Sequence, residues 1–375
     1  MFYAAESQAS FQLNLNPPFV GGVSYFNTSV PQQILRRLDN GLPVSDPFIP
    51  VNNPSGTINA LPADRPIGYV QQWSLGIQRQ LATNLLLDVT YVGNSGNHLQ
   101  DLHNPNAPFL GTGPVAQRRP YFATAPGIVA FNYIDQRGKS NYNGLQATLT
   151  KRLTNGLQFL TNYTWSHAIE NTPHFFGGGS HQDERNLEAD RGSSGNDLRH
   201  RFVFSGLYEL PFGKGKTVLT NASGVTNALF GGWQLGGVFV TQSGSPYTVL
   251  GGAGRPNRTC DGRLDNPKVE AWFDVSCFPL PAAVPDVVRG GVYIPFGNSG
   301  NFVLPGPALL NFDCSIQKTV KTGESTRFEF RTELFNAFNH SQFLNPNATV
   351  NSGLTGRILN ARDSRQIQMV LKFIF

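Results

Sequence analysis

The amino-acid sequence predicts an all-β fold, an antiparallel sheet of about ten strands joined alternately by short turns and long loops. Three observations predict it: apolar and polar residues alternate in many segments, tight turns alternate with very long connections, and the composition is poor in charge. Charged residues make up 14% of the 375-residue chain, against about 25% in a typical soluble domain. With 28 Phe and 40 Gly, the profile is that of a β-rich protein with many turns.

Ten segments carry the alternation, and most are roughly 10 to 13 residues long. Strands of globular proteins average about 5 to 6 residues, whereas a tilted strand needs about 9 to 11 residues to cross a bilayer. The predicted strands are 11–15, 69–81, 85–93, 141–153, 156–166, 199–210, 232–243, 309–320, 326–338 and 365–375.

The connections between these strands are of two kinds. Tight turns are predicted at ATN, TNG and KTGES, after the second, fourth and eighth strands. The link between the sixth and seventh strands falls on the same side but is longer, with a short helix predicted at NALF. The long connections are 16–68, 94–140, 167–198, 244–308 and 339–364. Loops of this length are uncommon in compact soluble domains, so the pattern favours a membrane-spanning antiparallel β-barrel segment.

The two faces of the predicted strands differ in polarity. In the fifth strand, Phe159, Tyr163 and Trp165 share one face, and polar side chains such as Asn162 and Thr164 share the other. A soluble sandwich also alternates. Aromatic residues near strand ends, where the girdles of a membrane barrel lie, favour the barrel; they are Trp73, Trp165, Trp233 and Phe375.

The chain ends on the strand RQIQMVLKFIF, whose alternation continues to the last residue. Ile367, Met369, Leu371, Phe373 and Phe375 lie on one face of this strand. An exposed apolar edge at a terminus promotes aggregation in a soluble protein, so an apolar partner such as lipid is expected along this face.

Charge and hydropathy exclude several classes of protein. The net charge of +5 is spread along the chain without a basic block, so we expect no nucleic-acid partner. No apolar run reaches about 18 residues, the length of a membrane-spanning helix. The N-terminal stretch has no Lys or Arg before Arg36 and no continuous apolar run, so a signal peptide is not expected there.

The three cysteines show no metal-ligand spacing. Cys260 and Cys277 share one Gly/Pro-rich stretch and are either a loop disulfide in an oxidising compartment or two unpaired thiols. Cys314 lies at an alternating position and is expected to be a small packing residue.

No catalytic constellation is present, so we expect neither an enzyme nor a cofactor. Residues 174–201 concentrate His, Asp and Glu, but their spacing fits no zinc motif, and we interpret them as a solvated surface loop with Asp197, Arg199 and Arg201 pairing near the rim. Calcium binding by Asp261 and Asp265 is disfavoured, and no metal is expected. Loop aromatics that could stack on a sugar or peptide, or pack against one another, include Tyr121, Tyr133, Phe175 and Phe176.

Several long segments together resemble the C-terminal half of TonB-dependent outer-membrane receptors, particularly the Oar-like subgroup common in acidobacteria. They include YVQQWSLGIQRQLATNLLLDVTYVGNSGNHL, NYNGLQATLTKRLTNGLQFLTNYTWSHAIEN and RFEFRTELFNAFNHSQF. The resemblance covers nearly the whole chain and implies the outer membrane of a Gram-negative bacterium.

The resemblance also implies partners and a domain arrangement. Such receptors have a signal peptide, a regulatory-like domain, a TonB box and a plug, none of which is recognisable here, so residues 1–375 are expected to be the C-terminal barrel portion. Lipid is one implied partner, and the barrel-assembly machinery is another, through an assembly signal at Met369, Leu371, Phe373 and Phe375. TonB would act only through a plug.

Two functions follow as hypotheses. The first is a receptor fragment whose outer loops bind a siderophore, oligosaccharide or peptide for import. The second is a soluble secreted all-β binding module, such as an adhesin. For the first, we expect the sheet to be open, or only loosely closed, between the strand at 11–15 and the strand that ends at Phe375, because a missing upstream strand would otherwise close it.

Overall fold

The computed structural model describes residues 2–3, 56–172, 181–323 and 326–375. The long strands of the main sheet are β3 Tyr69–Ala82, β4 Leu85–His103, β5 Ile128–Thr154, β6 Leu157–Glu170, β8 His200–Glu209, β9 Trp233–Gln242, β16 Leu309–Lys321, β17 Arg327–Phe335 and β18 Gln366–Ile374. Three shorter strands join the same sheet: β1 Phe2–Tyr3, β2 Gly56–Ala60 and β7 Gly192–Ser193.

Smaller elements lie in the connections. They are β10 Pro246–Tyr247, β11 Arg263–Lys268, β12 Ala271–Phe273, β13 Val284–Pro285, β14 Val292–Tyr293, β15 Leu304–Pro305, helix α1 Gly224–Phe230 and 3-10 turns at Val115–Arg118, Leu187–Asp190 and Val275–Cys277. No helix in the described part of the chain is both long enough and apolar enough to span a membrane.

The main sheet follows the chain order β1-β3-β4-β5-β6-β8-β9-β16-β17-β18, and neighbouring strands on this path are antiparallel. Nine of the ten predicted strands are therefore confirmed, while the segment at 11–15 lies outside the described residues. Within the described residues, β18 pairs with β17 alone and β1 pairs with β3, so the path is not closed there.

One face of the sheet is apolar from strand to strand. Residues directly opposite in antiparallel strands point to the same face. One such row is Leu75, Tyr91, Leu145 and Trp165, across β3, β4, β5 and β6. A second row is Phe204, Phe239 and Phe312, across β8, β9 and β16. At the end of the sheet, Phe328 and Phe330 lie opposite Phe373 and Leu371. Leu75 is 75% exposed and Leu371 72%, so this apolar face is turned outward.

The other face is mainly polar and carries its own rows of paired side chains. Thr148 donates to Asn162 at 2.9 Å across β5 and β6, and Glu329 lies opposite Lys372 across β17 and β18. The predicted alternation of faces is thus observed. We call the main sheet the wall, its apolar face the outer face and its polar face the inner face.

The ends of the wall differ as predicted. Two-residue links join β3 to β4 and β5 to β6, while β4 to β5, β6 to β8 and β9 to β16 are joined by long segments at the opposite end. We call these ends the turn side and the loop side. The longer turn-side link between β8 and β9 contains α1, which includes the predicted NALF helix.

The predicted bounds of β4 and β5 were wrong at the loop side. β4 continues to His103 and β5 begins at Ile128, so about half of the supposed loop 94–140 belongs to these two strands, which form a hairpin. Its register shifts twice, between Asn97 and Leu99 and between Leu99 and Asp101. The loop-side extension of β4 and β5 carries polar residues on both faces, because neither lipid nor a core imposes alternation there. The sequence pattern therefore did not indicate that these residues form strands.

The loop side contains its own hydrophobic core. Val249, Phe273, Phe278 and Leu304 are almost completely buried in it, and Tyr247, Cys277 and Val350 complete the cluster. A disulfide joins Cys260 to Cys277, with 5.0 Å between the Cα atoms. Cys314 is a half-buried free thiol on β16. The connection between β9 and β16 is thus a folded unit, packed against the link that precedes β18.

Candidate functional site: the loop platform

A buried network of charges joins three loop-side segments. His181 lies between two carboxylates, with Nε2 2.7 Å from Asp101 Oδ1 and Nδ1 2.7 Å from Asp190 Oδ2. Arg137 donates to Asp101 at 2.5 and 3.0 Å, and Arg255 donates to Asp190 at 2.6 Å. Asp101 and Arg137 belong to the β4–β5 hairpin, His181 and Asp190 to the β6–β8 link, and Arg255 to the β9–β16 connection. The network therefore fastens these three segments together.

The guanidinium of Arg255 donates hydrogen bonds to neutral groups as well as to the Asp190 carboxylate. Its Nε donates to the Ser299 carbonyl at 2.7 Å, and its two Nη atoms donate to the Asn301 side chain at 2.9 Å and the Ala189 carbonyl at 2.8 Å. Buried ions are stable only when their hydrogen bonds are also satisfied. We call the three segments held in this way the loop platform.

The pKa values within the platform follow from this geometry. Burial alone would lower the pKa of His181, but its hydrogen bonds to Asp101 and Asp190 and their negative charges outweigh burial and raise the pKa to about 9. Burial raises the pKa of Asp101, yet the bonds and charges of His181 and Arg137 bring it below its ordinary value. His181 is therefore cationic at neutral pH, and both of its ring nitrogens donate.

The interpretation of residues 174–201 as a solvated loop was wrong for its central residues. The side chains of His181 and Asp190 are fully buried, and that of Asp197 is nearly so. Asp197 pairs with Arg199 at 3.2 Å, as predicted, and also with His167 at 2.9 Å. The sequence could not reveal the main partner of His181, since Asp101 is 80 positions away.

A cavity of about 400 Å³ opens beside the platform, where β6, β8, β9 and β16 reach the loop side. Its charged lining consists of one carboxylate, Asp197, and four arginines, which are Arg191, Arg199, Arg258 and Arg263. Phe302, Leu304 and Pro305 supply an apolar wall. The cavity is thus basic with an apolar side, a feature that no sequence motif indicated.

The arginines of the cavity differ in how far they are neutralised. Arg258 donates to Asp261 at 2.7 Å, and Arg263 lies 3.6 Å from the other oxygen of that carboxylate. Arg199 shares Asp197 with His167. Within the described residues, no side chain or carbonyl accepts a hydrogen bond from the guanidinium of Arg191. Its donors are available to an anion.

The aromatic candidates lie elsewhere on the loop side. Tyr121 is partly exposed and packs edge-on against Phe131 at 5.6 Å, and Tyr133 packs edge-on against His103 at 5.1 Å. Phe175 and Phe176 lie outside the described residues. Tyr121 and Tyr133 therefore belong to the β4–β5 hairpin and do not line the arginine cavity.

The metal interpretations find no support in the geometry of the described residues. They contain no group of three or more His, Cys, Asp or Glu side chains arranged to hold an ion. Asp261, the calcium candidate, is engaged by Arg258 and Arg263.

The main sheet has an apolar outer face and a polar inner face, and the folded loop platform lies at one end of it. This arrangement is typical of a membrane-spanning β-sheet. The family comparison agrees. A model of the outer membrane beta barrel domain matches residues 1–368, and the chain belongs to this family. It is therefore an outer-membrane protein, and the family assignment sets aside the soluble secreted module. No curated protein sequence matches the chain.

Solved outer-membrane proteins resemble the chain at low identity. The outer membrane transporter YddB of Escherichia coli is 8% identical with a TM-score of 0.47, over 86% of this chain and 34% of its own. The siderophore receptor PiuA of Acinetobacter baumannii is 10% identical with a TM-score of 0.43, over 85% and 30%. The ferric-catecholate import receptor Fiu of E. coli K12 is 11% identical with a TM-score of 0.40, over 84% and 29%. The chain thus spans about a third of the length of these proteins.

Proposed function

We propose that this chain is part of a TonB-dependent outer-membrane receptor that binds its ligand at the loop platform and takes part in its import. The observation that carries the proposal is the platform itself, in which three loop-side segments are locked by buried ion pairs beside a basic cavity. A preformed polar cavity at the mouth of a membrane wall suits ligand capture, because little ordering entropy remains to be lost on binding.

Among a siderophore, an oligosaccharide and a peptide, the cavity favours a ligand that carries carboxylate or other anionic groups. Four arginines and one carboxylate leave a positive balance, and a guanidinium forms paired hydrogen bonds with carboxylates. The apolar wall at Phe302 and Leu304 suits a ligand with an apolar part. An anionic siderophore or an acidic peptide is therefore preferred over a neutral oligosaccharide.

Binding to the detergent-solubilised protein tests this proposal. The probes are ferric citrate, a triaspartate peptide and neutral maltotriose, followed by calorimetry. We expect the anionic probes to bind more tightly than maltotriose, and Arg191→Ala to weaken them about tenfold, since a hydrogen bond to a charged group contributes roughly 1.5 kcal/mol. Arg357→Ala, at an exposed arginine outside the cavity, is the matched control. Equal affinity for all probes, or equal losses in both variants, would contradict the proposal.

We also propose two protein partners. TonB would supply energy for import through a plug domain, as the family resemblance implies. The barrel-assembly machinery would recognise the apolar face of the terminal strand, made by Met369, Leu371, Phe373 and Phe375. In support, this face is exposed, and Phe373 packs on Phe328 of β17 at 4.7 Å. No enzymatic role is proposed.

A further inference from the structure

The turn-side end of the outer face carries an unusual pair, Trp233 at the start of β9 and Lys318 on β16. They lie opposite each other in the sheet, two positions from the apolar pair Leu235 and Ile316. Because side chains alternate along a strand, Trp233 and Lys318 point to the same outer face as that pair. A lysine is costly on a face that contacts lipid unless its charge is covered.

Helix α1 provides that cover. The Lys318 ammonium donates to the carbonyls of Leu229, at 3.2 Å, and Gly231, and it lies 5.0 Å from the centroid of the Trp233 ring. Trp233 Nε1 donates to the same Leu229 carbonyl at 2.9 Å. Lys318 is only 8% exposed as a result. The C-terminal end of α1 is therefore seated on the outer face of the wall, over these two residues.

The remaining surface of α1 is amphipathic. Val225 and Leu229, four positions apart, share one side of the helix and are 74% and 59% exposed, and the adjacent Phe230 is also exposed. Asn227 lies on the opposite side, where its Oδ1 accepts from the Lys214 backbone N–H at 2.8 Å. This hydrogen bond joins the polar side of the helix to the backbone at Lys214, and the apolar side of the helix is turned away from the protein.

We propose that α1 lies in the bilayer interface at the turn side, with Val225, Leu229 and Phe230 in contact with phospholipid. The apolar side of α1 is continuous, through Trp233, with the outer face that meets the membrane. Tryptophan and lysine at a strand end are typical of the interfacial zone. Lys214 lies in the same link, where its charge suits anionic headgroups, whereas Lys216 is paired with Glu209 at 2.6 Å. The link from β8 to β9 is thus a membrane anchor and not only a turn.

Spin-label accessibility tests this inference in the full chain, reconstituted in vesicles of phosphatidylethanolamine and phosphatidylglycerol. Labels are attached in a Cys314→Ser background at Val225→Cys and Leu229→Cys, which are exposed sites. Leu371→Cys serves as the lipid-facing reference, and Val287→Cys, at a loop-side position that is 93% exposed, serves as the water-facing reference. We expect both α1 labels to collide with oxygen more often than with a water-soluble nickel chelate, as at position 371 and unlike position 287.

Three results would overturn the inference. Nickel-favoured collisions at both α1 sites would place the helix in water. Labels shielded from both reagents would show that protein covers the helix. Dipolar broadening between labels of separate molecules would identify a second copy as the partner. Because the two sites are independent and largely exposed, misfolding of one variant does not remove the test, and ligand binding does not enter it.

Discussion

His181 connects carboxylates that come from different loop-side segments, Asp101 in the β4–β5 hairpin and Asp190 in the β6–β8 link. Replacing His181 by Ala leaves both carboxylates buried without their shared cation. Removing one partner of a buried ion pair lowers the free energy of unfolding by about 3–5 kcal/mol. We expect His181→Ala to destabilise the platform by this amount, measured as loss of amide protection from hydrogen exchange at residues 181–192. The control is His340→Gln at an exposed position in the link before β18; equal protection in both variants would contradict the network's role.

The charge of His181 also makes the platform sensitive to pH. Its folded pKa is raised from 6.5 to about 9, so its contribution to stability is fully present below 6.5 and is lost as the pH rises through about 9. The pKa of Asp101 is lowered, so its contribution is present above 3.8 and is lost as the pH falls through its lower folded pKa. We expect protection at residues 181–192, corrected for intrinsic exchange rates, to decline through pH 9 in the wild type. A flat profile there, or the same decline in His181→Gln, would refute the assignment.

At the scale of elements, the disulfide between Cys260 and Cys277 closes a loop with a sequence separation of 17 within the β9–β16 unit. In the chain-entropy model, a bond that closes a loop of this size stabilises by about 3 kcal/mol. We expect Cys260→Ser with Cys277→Ser to lower the stability of this unit by that amount, measured by denaturant-dependent proteolysis of the unit. Cys314→Ser, which removes the free thiol, is the control and should leave it unchanged. Equal effects of the two changes would argue against the bond.

The last strand carries the next prediction at this scale. Phe375 is 91% exposed and packs on Phe373, at 5.9 Å between ring centroids, so we expect its removal to have little effect on folding of the wall itself. If the terminal apolar face is the assembly signal, deletion of Phe375 or Phe375→Lys should reduce the amount of the protein in outer-membrane fractions. Phe330→Lys, at an exposed phenylalanine on the outer face of β17, separates this effect from a general loss of apolar surface. Wild-type amounts after both terminal changes would show that the ending is not a signal.

Strands of the wall could be predicted from sequence because two solvents, lipid and water, impose alternation on them. The bounds of β3 and β18 agree with prediction to within one residue, and Phe159, Tyr163 and Trp165 share one face of β6 as expected. The platform could not be predicted, since Asp101, His181 and Arg255 are far apart in sequence and follow no period. Their meeting depends on the β4–β5 hairpin extending beyond the wall, for which polar residues on both faces give no signal.

At the scale of the whole molecule, one wall separates two ends with different roles. The loop side carries the platform, the arginine cavity and the disulfide-linked unit, and the turn side carries short links and α1. Between them, the outer face is apolar in every long strand. A bilayer around this face puts the two ends in different compartments, and the ligand capture that we propose requires the loop side to be outside the cell.

Trypsin applied to intact cells tests this orientation most directly. Arg289 follows Val287 and Val288, which are 93% and 78% exposed at the tip of the β9–β16 unit, whereas Lys321 ends β16 at the turn side. We expect cleavage after Arg289 in intact cells, and cleavage after Lys321 only once the outer membrane has been permeabilised. An Arg289→Gln variant should lose the first cut and keep the second. Cleavage at Lys321 in intact cells, with Arg289 protected, would contradict the account.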